Sequence, residues 1–331
     1  MAATVAGIRL ILDDGADLTD KVNPRLLELT LSEKRGGEAD ELSITLHNHD
    51  GQLIAPEKGR VLALQLGWQS GDDVPVGLVD KGRFKVDEVE ESGPPDIVIL
   101  RARSADFTGD YRKRRTQSWR ATTLDALIDR IAARNGLSAR VHPALAGKAI
   151  VAIEQHNKSD MAFVKDLGSR YDALATWKDR KLIFMPVGST TTASGRTIPT
   201  TTIRRTDGWT WNFGHAERDE VDGAEAQWHD GAAGRRRTVK RGGKNRKRLK
   251  RVYASEAEAT QAAEAAASRG RRGARTFSYD LALALPALQP NGRVTLTGWN
   301  PRIDGLAWLV ESVETTMGKD GLKQQLTLES A

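Results

Sequence analysis

Through the first hundred residues, apolar side chains recur in short runs with a period of two. The stretch Glu41-Leu42-Ser43-Ile44-Thr45-Leu46 alternates without a break, the pattern of a strand with one buried face. Runs at 5–12, 26–31, 42–46, 61–68, 82–89 and 97–102 have this character, and Gly-, Asp- and Pro-bearing breaks separate them. Six strands at this spacing predict an antiparallel barrel or sandwich.

The period then changes. Residues 123–134 place Leu124, Leu127, Ile128 and Ile131 on one helical stripe, and Gly136 is a natural stop. A second helix opens at Ser159 and Asp160, a hydrogen-bonding cap followed by an acid at the positive helix end. Met161, Val164, Leu167 and Tyr171 form its apolar face, and Gly168 weakens it by about 1 kcal/mol unless another backbone packs there. The apolar runs 173–177 and 182–186 follow as a β-hairpin, with Pro186 ending the second strand.

Residues 189–206 are rich in Thr, Ser and Gly and read as an exposed loop or mobile hairpin. Trp209-Thr210-Trp211-Asn212-Phe213 resumes strand. Ser255 and Glu258 have the spacing of a capping box, opening an Ala-rich helix to about Arg269 with Gly270 placed to stop it. Runs at 276–285, 293–298, 308–316 and 322–329 return to strand, the last two as a hairpin. The expected layout is a β domain over 1–104, a helical insert with a hairpin over 105–190, and a second β domain over 191–331. No sequence repeat relates the two β parts.

Charge adds one local feature. Arg235, Arg236, Arg237, Lys240, Arg241, Lys244, Arg246, Lys247, Arg248, Lys250 and Arg251 are eleven cations in a run with no acid. Subtracting them from the net charge of +6 leaves −5, so the basicity belongs to this run and not to the fold. Phosphates would bind it with steep salt dependence. It has no aromatic for base stacking and no amphipathic period for groove entry, so it reads as a solvated, partly disordered loop that docks on an acidic protein surface or lines a channel. Docking ranks above specific DNA binding. Of the eight tryptophans, Trp68, Trp177, Trp209, Trp211, Trp299 and Trp308 lie in or beside strands and read as core. Trp119 and Trp228 have polar surroundings and are candidate interface anchors, with a satellite core as the alternative.

Candidate chemistry is sparse. There is no cysteine, which excludes disulfides, thiolate metal sites and cysteine nucleophiles and fits a reducing compartment. The first residues lack the basic lead-in of a signal peptide, and the longest apolar run, 281–288, is too short to span a bilayer; the expectation is a soluble, unsecreted protein. No HExxH or HxxxH spacing exists, and His47 and His49 read as surface residues at a strand end rather than a shared metal site. Gly36-Gly37 and Gly242-Gly243 lack the strand–turn–helix context of a phosphate loop. Two acidic groups, Asp87, Glu88, Glu90, Glu91 and Glu217, Asp219, Glu220, are candidates for glycosidase carboxylates. Such a pair must face each other about 5–9 Å apart with one acid in an apolar pocket, whereas contiguous loop acids are usually solvated. Neither catalysis nor a cofactor or metal is expected.

The segments themselves resemble a known family. Leu167-Gly168-Ser169-Arg170-Tyr171-Asp172-Ala173 with the strand Lys181-Leu182-Ile183-Phe184 is similar to the late control protein D family of contractile-tailed phages. Phe84-Lys85-Val86-Asp87-Glu88-Val89 before Gly93-Pro94-Pro95-Asp96, Arg101-Ala102-Arg103-Ser104-Ala105-Asp106-Phe107, Ile131-Ala132-Ala133-Arg134-Asn135-Gly136-Leu137 and Tyr253-Ala254-Ser255-Glu256-Ala257-Glu258-Ala259 extend the resemblance, in order, over about 80–331. The first 80 residues match in length and β character only, and the basic run is longer than the family suggests. The resemblance implies a mainly β fold of two tail-tube-like antiparallel barrels flanking an α+β middle, related to phage baseplate hubs and to the amino-terminal part of type VI secretion spikes.

It also implies a structural hub, a homotrimer adapting a hexameric tail tube to a trimeric central spike in a phage tail or a phage-tail-like bacteriocin. Expected partners are the spike, the tube or its initiator, baseplate proteins and the tape-measure protein, with no membrane and no specific nucleic acid. The expected location is the tail baseplate of the particle, with assembly in the bacterial cytoplasm. A nucleic-acid-binding regulator using residues 235–251, and a tail-associated cell-wall hydrolase, are the alternatives.

Overall fold

The computed structural model describes residues 3–36, 39–104, 109–178, 180–215 and 221–331. The six amino-terminal strands form as the alternation predicts: β1 (Val5–Leu12), β2 (Leu26–Lys34), β3 (Glu41–His47), β4 (Val61–Ser70), β5 (Gly77–Ser92) and β6 (Ile97–Arg103), with one helical turn, α1 (Thr19–Val22), after β1. Leu42, Ile44 and Leu46 point into a core with Leu10, Leu29 and Leu64.

The middle region comprises β7 (Arg114–Thr123), α2 (Leu124–Arg134), β8 (Ser138–Val141), α3 (Pro143–Ala146), β9 (Ala149–Ser159), α4 (Asp160–Tyr171), β10 (Ala173–Lys178) and β11 (Lys181–Pro186). The expected stripe of α2 is buried. The backbone N–H of Ala162 donates to Ser159 Oγ at 3.2 Å, the cap that starts α4. A Cβ on Gly168 would fall 2.8 Å from the Ala173 carbonyl oxygen. The backbone entering β10 therefore explains a glycine inside this helix. Strands β10 and β11 form the expected hairpin, and β8 adds to β11 in parallel.

The last third holds β12 (Thr200–Arg204), β13 (Gly208–His215), β14 (Gly223–Asp230), β15 (Arg235–Gly242), β16 (Arg246–Tyr253), α5 (Glu256–Gly273), β17 (Arg275–Leu281), β18 (Arg293–Thr297), α6 (Pro301–Asp304), β19 (Ala307–Gly318) and β20 (Gly321–Ser330). Three expectations need correction. The Thr-rich segment does turn back on itself, with an antiparallel bridge between Thr191 and Thr197, but its end forms a strand, β12, paired in parallel with β18. The basic run is not a loop: most of it forms β15 and β16, which flank β14 in a separate three-stranded sheet. Helix α5 continues past Gly270, where a Cβ would sit 1.9 Å from the Val221 carbonyl oxygen. That glycine permits a close approach and does not stop the helix.

One twelve-stranded sheet carries both β regions. Its amino-terminal half follows the path β1-β4-β5-β6-β3-β2, and its carboxy-terminal half follows β12-β18-β19-β20-β17-β13. Taken in chain order, the six strands of each half occupy the same places. Details repeat as well. Val86 lies at a bulge of β5 and exchanges backbone hydrogen bonds with Gly59 and Arg60; Val310 lies at a bulge of β19 and does the same with Asn291 and Gly292. Gly59 and Asn291 both have positive φ, 95° and 70°. The halves differ in that β1 runs antiparallel to β4 whereas β12 runs parallel to β18. The unit β14–α5 is inserted between β13 and β17 of the second half only.

The halves join where β2 pairs with β19, from Lys34 opposite Ser312 to Glu28 opposite Gly318. The mainly β architecture with an α+β middle is thus as expected. The path is open, however: β1, β12 and β13 each pair with one strand, so hydrogen bonds among the described residues close no barrel.

Candidate functional site

The inserted sheet carries the charge. Helix α5 covers one face, burying Ala224, Ala226, Val239 and Tyr253 against Ala259, Ala262 and Ala263. Small residues on β14 let the helix approach, and the cations of β15 and β16 stay at the surface. Three have carboxylate partners: Arg237 with Asp230 at 2.8 Å, Lys240 with Glu225 at 3.4 Å and Arg241 with Glu264 at 3.1 Å. Arg235, Arg236, Lys244, Arg246, Lys247, Arg248, Lys250 and Arg251 make no ion pair among the described residues. The result is a strand-borne basic surface on which eight of the eleven cations lack a carboxylate partner among the described residues.

A second surface lies on β13. Trp209 is 59% exposed and Trp211 36%. Trp211 stacks on Phe277 at 6.0 Å with the Arg205 guanidinium over its ring, and Lys323 lies over Trp209. The reading of these two tryptophans as core is therefore corrected. Trp119 is corrected the other way: it is 3% exposed and stacks on Phe163, so it anchors the middle core and not an interface. Trp228 is half-buried against the inserted core, with Arg237 near its ring. Sequence alternation found β13 but missed its exposure, because no local pattern says whether a strand has a neighbour on each side.

Elsewhere, charges are tied to structure. Asp172, in the left-handed conformation that ends α4, accepts both ends of the Arg272 guanidinium. Arg272 also donates to Glu329 at 3.1 Å, and Arg35 reaches Glu329 at 2.5 Å. This network joins the middle region to β20. Burial lowers the pKa of Arg269 at its rim. Lys81 and Glu33, each almost wholly buried, pair at 2.7 Å. Burial, and then the negative charge of Glu33, push the nearby Asp40 carboxyl up to about 6.

The candidate chemical groups do not assemble. Glu88 and Glu90 share Arg101 at 3.1 Å, and Asp87 lies 3.8 Å from Arg103. These are exposed cross-strand pairs, not an acid held in an apolar pocket. Glu217, Asp219 and Glu220 lie outside the described residues. His47 is half-buried and His49 exposed, with their Nδ1 atoms 2.9 Å apart. No group of three or more His, Asp or Glu side chains suited to a metal occurs among the described residues. No helix among them is long and apolar enough to cross a membrane.

The profile of the phage tail baseplate hub family (GPD) matches residues 41–321. Over 355 aligned residues the chain is 35% identical to the probable baseplate hub protein of Escherichia phage 186, covering 95% of this chain and 90% of that protein. This chain belongs to the phage tail baseplate hub family. The corresponding protein of Escherichia phage P2 is 43% identical over 219 residues, 66% of this chain and 55% of the P2 protein, so that match spans about half of the relative.

The fold of this hub protein recurs in solved structures of low identity. The 43 kDa tail protein of prophage MuSo2 from Shewanella oneidensis superimposes with a TM-score of 0.67 at 14% identity, covering 98% of both chains. A tail protein of Neisseria meningitidis gives 0.67 at 11%, covering 98% of this chain and 96% of that one. A component of the E. coli type VI secretion system, itself similar to the T4 tail proteins gp27 and gp5, gives 0.58 at 14%, covering 93% and 74%. As a baseplate hub the chain is a structural component of a phage tail.

Proposed function

We propose that this hub assembles as a three-fold ring that joins a six-fold tail tube to a three-fold central spike. The observation that carries this reading is the repeated six-strand path: one chain supplies two similar units, so three chains supply six. A ring of six similar units matches a hexameric tube on one side. Only the second unit of each chain bears the insert β14–α5, which leaves three-fold symmetry for the spike on the other.

In this reading the basic face of β15 and β16 docks on an acidic surface of a neighbour: the spike, a baseplate protein, the tube or its initiator, or the tape-measure protein. The role is mechanical, without a catalytic step. Assembly takes place in the bacterial cytoplasm, and the product is a phage tail or a phage-tail-like bacteriocin. A basic sheet without a groove-entering helix, whose Trp228 is taken up by the inserted core and by Arg237, favours protein docking over sequence-specific DNA binding.

The test is solution mass at low and high salt, with averaged electron images of the same sample, alone and with the trimeric spike. A three-fold ring with a central channel is expected. A monomer that persists with the spike present would overturn the ring.

A further inference from the structure

The two sheet halves share a common rung. In the first half Leu31, Leu42, Ala102 and Val86 lie opposite one another across β2, β3, β6 and β5. In the second, Phe213, Phe277, Leu328 and Val310 do so across β13, β17, β20 and β19. The bulges and backbone hydrogen bonds at Val86 and Val310 fix this alignment independently. Strand β13 is therefore the counterpart of β2, and β5 of β19.

Within the chain, β2 is not an edge: it pairs with the part of β19 that lies beyond Val310. Among the described residues its counterpart β13 has no such neighbour and pairs with β17 alone. Likewise β5 pairs with β4 only as far as Lys85, and beyond Val86 the side away from β6 has no partner strand among the described residues. One chain thus ends in two half-junctions of the kind it completes internally.

We propose that β13 of one copy pairs antiparallel with the β5 edge beyond Val86 of the next, repeating between chains the β2–β19 junction made within each. The proposal rests on the ring reading and supplies the contact that closes it. The alignment sets the register. Leu31 lies opposite Thr315, five residues past Val310, so Phe213 lies opposite Glu91, five residues past Val86. Asn212 then faces Ser92, as Thr30 faces Thr316, and Gly214 faces Glu90, as Ser32 faces Glu314.

Surface chemistry agrees. Leu29, the counterpart of Trp211, is wholly buried because its junction is made, whereas Trp211 remains 36% exposed. A groove lined by Leu53, Ile54, Ala55, Val89 and Glu91 runs beside the β5 edge, and Ile54 is 91% exposed. That groove offers apolar cover to the tryptophans. Arg205 and Lys323 lie beside β13, and the β5 edge carries Glu91 together with Glu88 and Glu90, which share Arg101, so cations of one surface can meet carboxylates of the other. An unpaired strand edge beside exposed aromatics invites uncontrolled pairing, and a closed ring removes it.

The chain has no cysteine, so cross-linking starts from a silent background. Directly opposed residues have Cβ atoms about 4.5–5.5 Å apart, near disulfide reach. The full-length double variant Asn212→Cys/Ser92→Cys is expected to oxidise to a covalent trimer. The register-shifted Asn212→Cys/Glu90→Cys should yield at least about tenfold less, since the two positions are offset by two residues along the strands, about 7–8 Å apart. Trp211→Lys, at an exposed site, is expected to leave the monomer folded and to weaken self-association at least about tenfold. A native trimer in which the 212/92 pair does not cross-link, or the shifted pair does so equally, overturns the strand pairing and leaves the ring reading standing. A chain that stays monomeric at every concentration even with the trimeric spike present, and cross-links nowhere, overturns both.

Discussion

Arg170 in α4 donates to Glu258 in α5 at 2.5 Å, and both side chains are buried. The other oxygen of Glu258 accepts the backbone N–H of Val151 at 3.1 Å, and the Arg170 guanidinium lies over the Tyr253 ring. One carboxylate thus ties the inserted basic unit to the middle region.

Removing one partner of a buried pair strands the other. Glu258→Ala is expected to destabilise the chain by about 3–5 kcal/mol, and the double variant Arg170→Met/Glu258→Leu to recover most of that loss. Denaturant unfolding of both variants checks this. A loss under about 1 kcal/mol in the single variant would mean that water already screens the pair.

Asp40 sets a pH dependence. Its folded-state pKa is raised from 3.8 to about 6, so folding favours the protonated acid. The associated stability is fully present below the unfolded pKa and is lost as pH rises through the folded one. Asp40→Asn keeps an acceptor for the Lys34 N–H. It is expected to raise stability by about 1–2 kcal/mol near pH 8 and to change little near pH 4, read from thermal unfolding at both. Equal shifts at the two pH values would place the effect elsewhere.

At Gly168 two effects oppose. Alanine favours helix by about 1 kcal/mol, but its Cβ would press on the Ala173 carbonyl oxygen, a backbone atom that cannot swing away. The clash should win, and Gly168→Ala is expected to cost about 1–3 kcal/mol net. A rise in the unfolding midpoint would show that β10 can retreat.

The eight cations of the basic run that make no ion pair among the described residues repel one another, and salt screens that repulsion. Their replacement by Gln is expected to leave the unfolding temperature unchanged or higher at low salt and to flatten its salt dependence. The same variant should assemble into fewer particles. Normal particle yield would remove the docking role of this face.

Much of the fold can be read locally. Leu42, Ile44 and Leu46 announce β3 by period, and Ser159 announces α4 by its cap. Strands β15 and β16 are hidden because cations fill both faces and only Val239 and Tyr253 are buried; the small residues of β14 and α5 supply the rest of that core. The repeat is hidden because counterparts such as Leu31 and Phe213, or Ala102 and Leu328, share a position and not a residue. For the surfaces, the cations are legible one by one, but Trp209 and Trp211 look like core until the neighbouring strand is known to be missing from one side.

The β2–β19 junction also constrains biogenesis. Strand β2 leaves the ribosome complete at Lys34, but its partner begins at Ala307. At about 5–20 residues per second, the wait is on the order of tens of seconds. Through that time the nascent amino-terminal half presents a naked strand edge beside a formed core. The halves of a neighbouring nascent chain offer the same complementary strand, so the translation rate and the spacing of ribosomes on one message bear on whether each chain completes its own sheet or is captured by another.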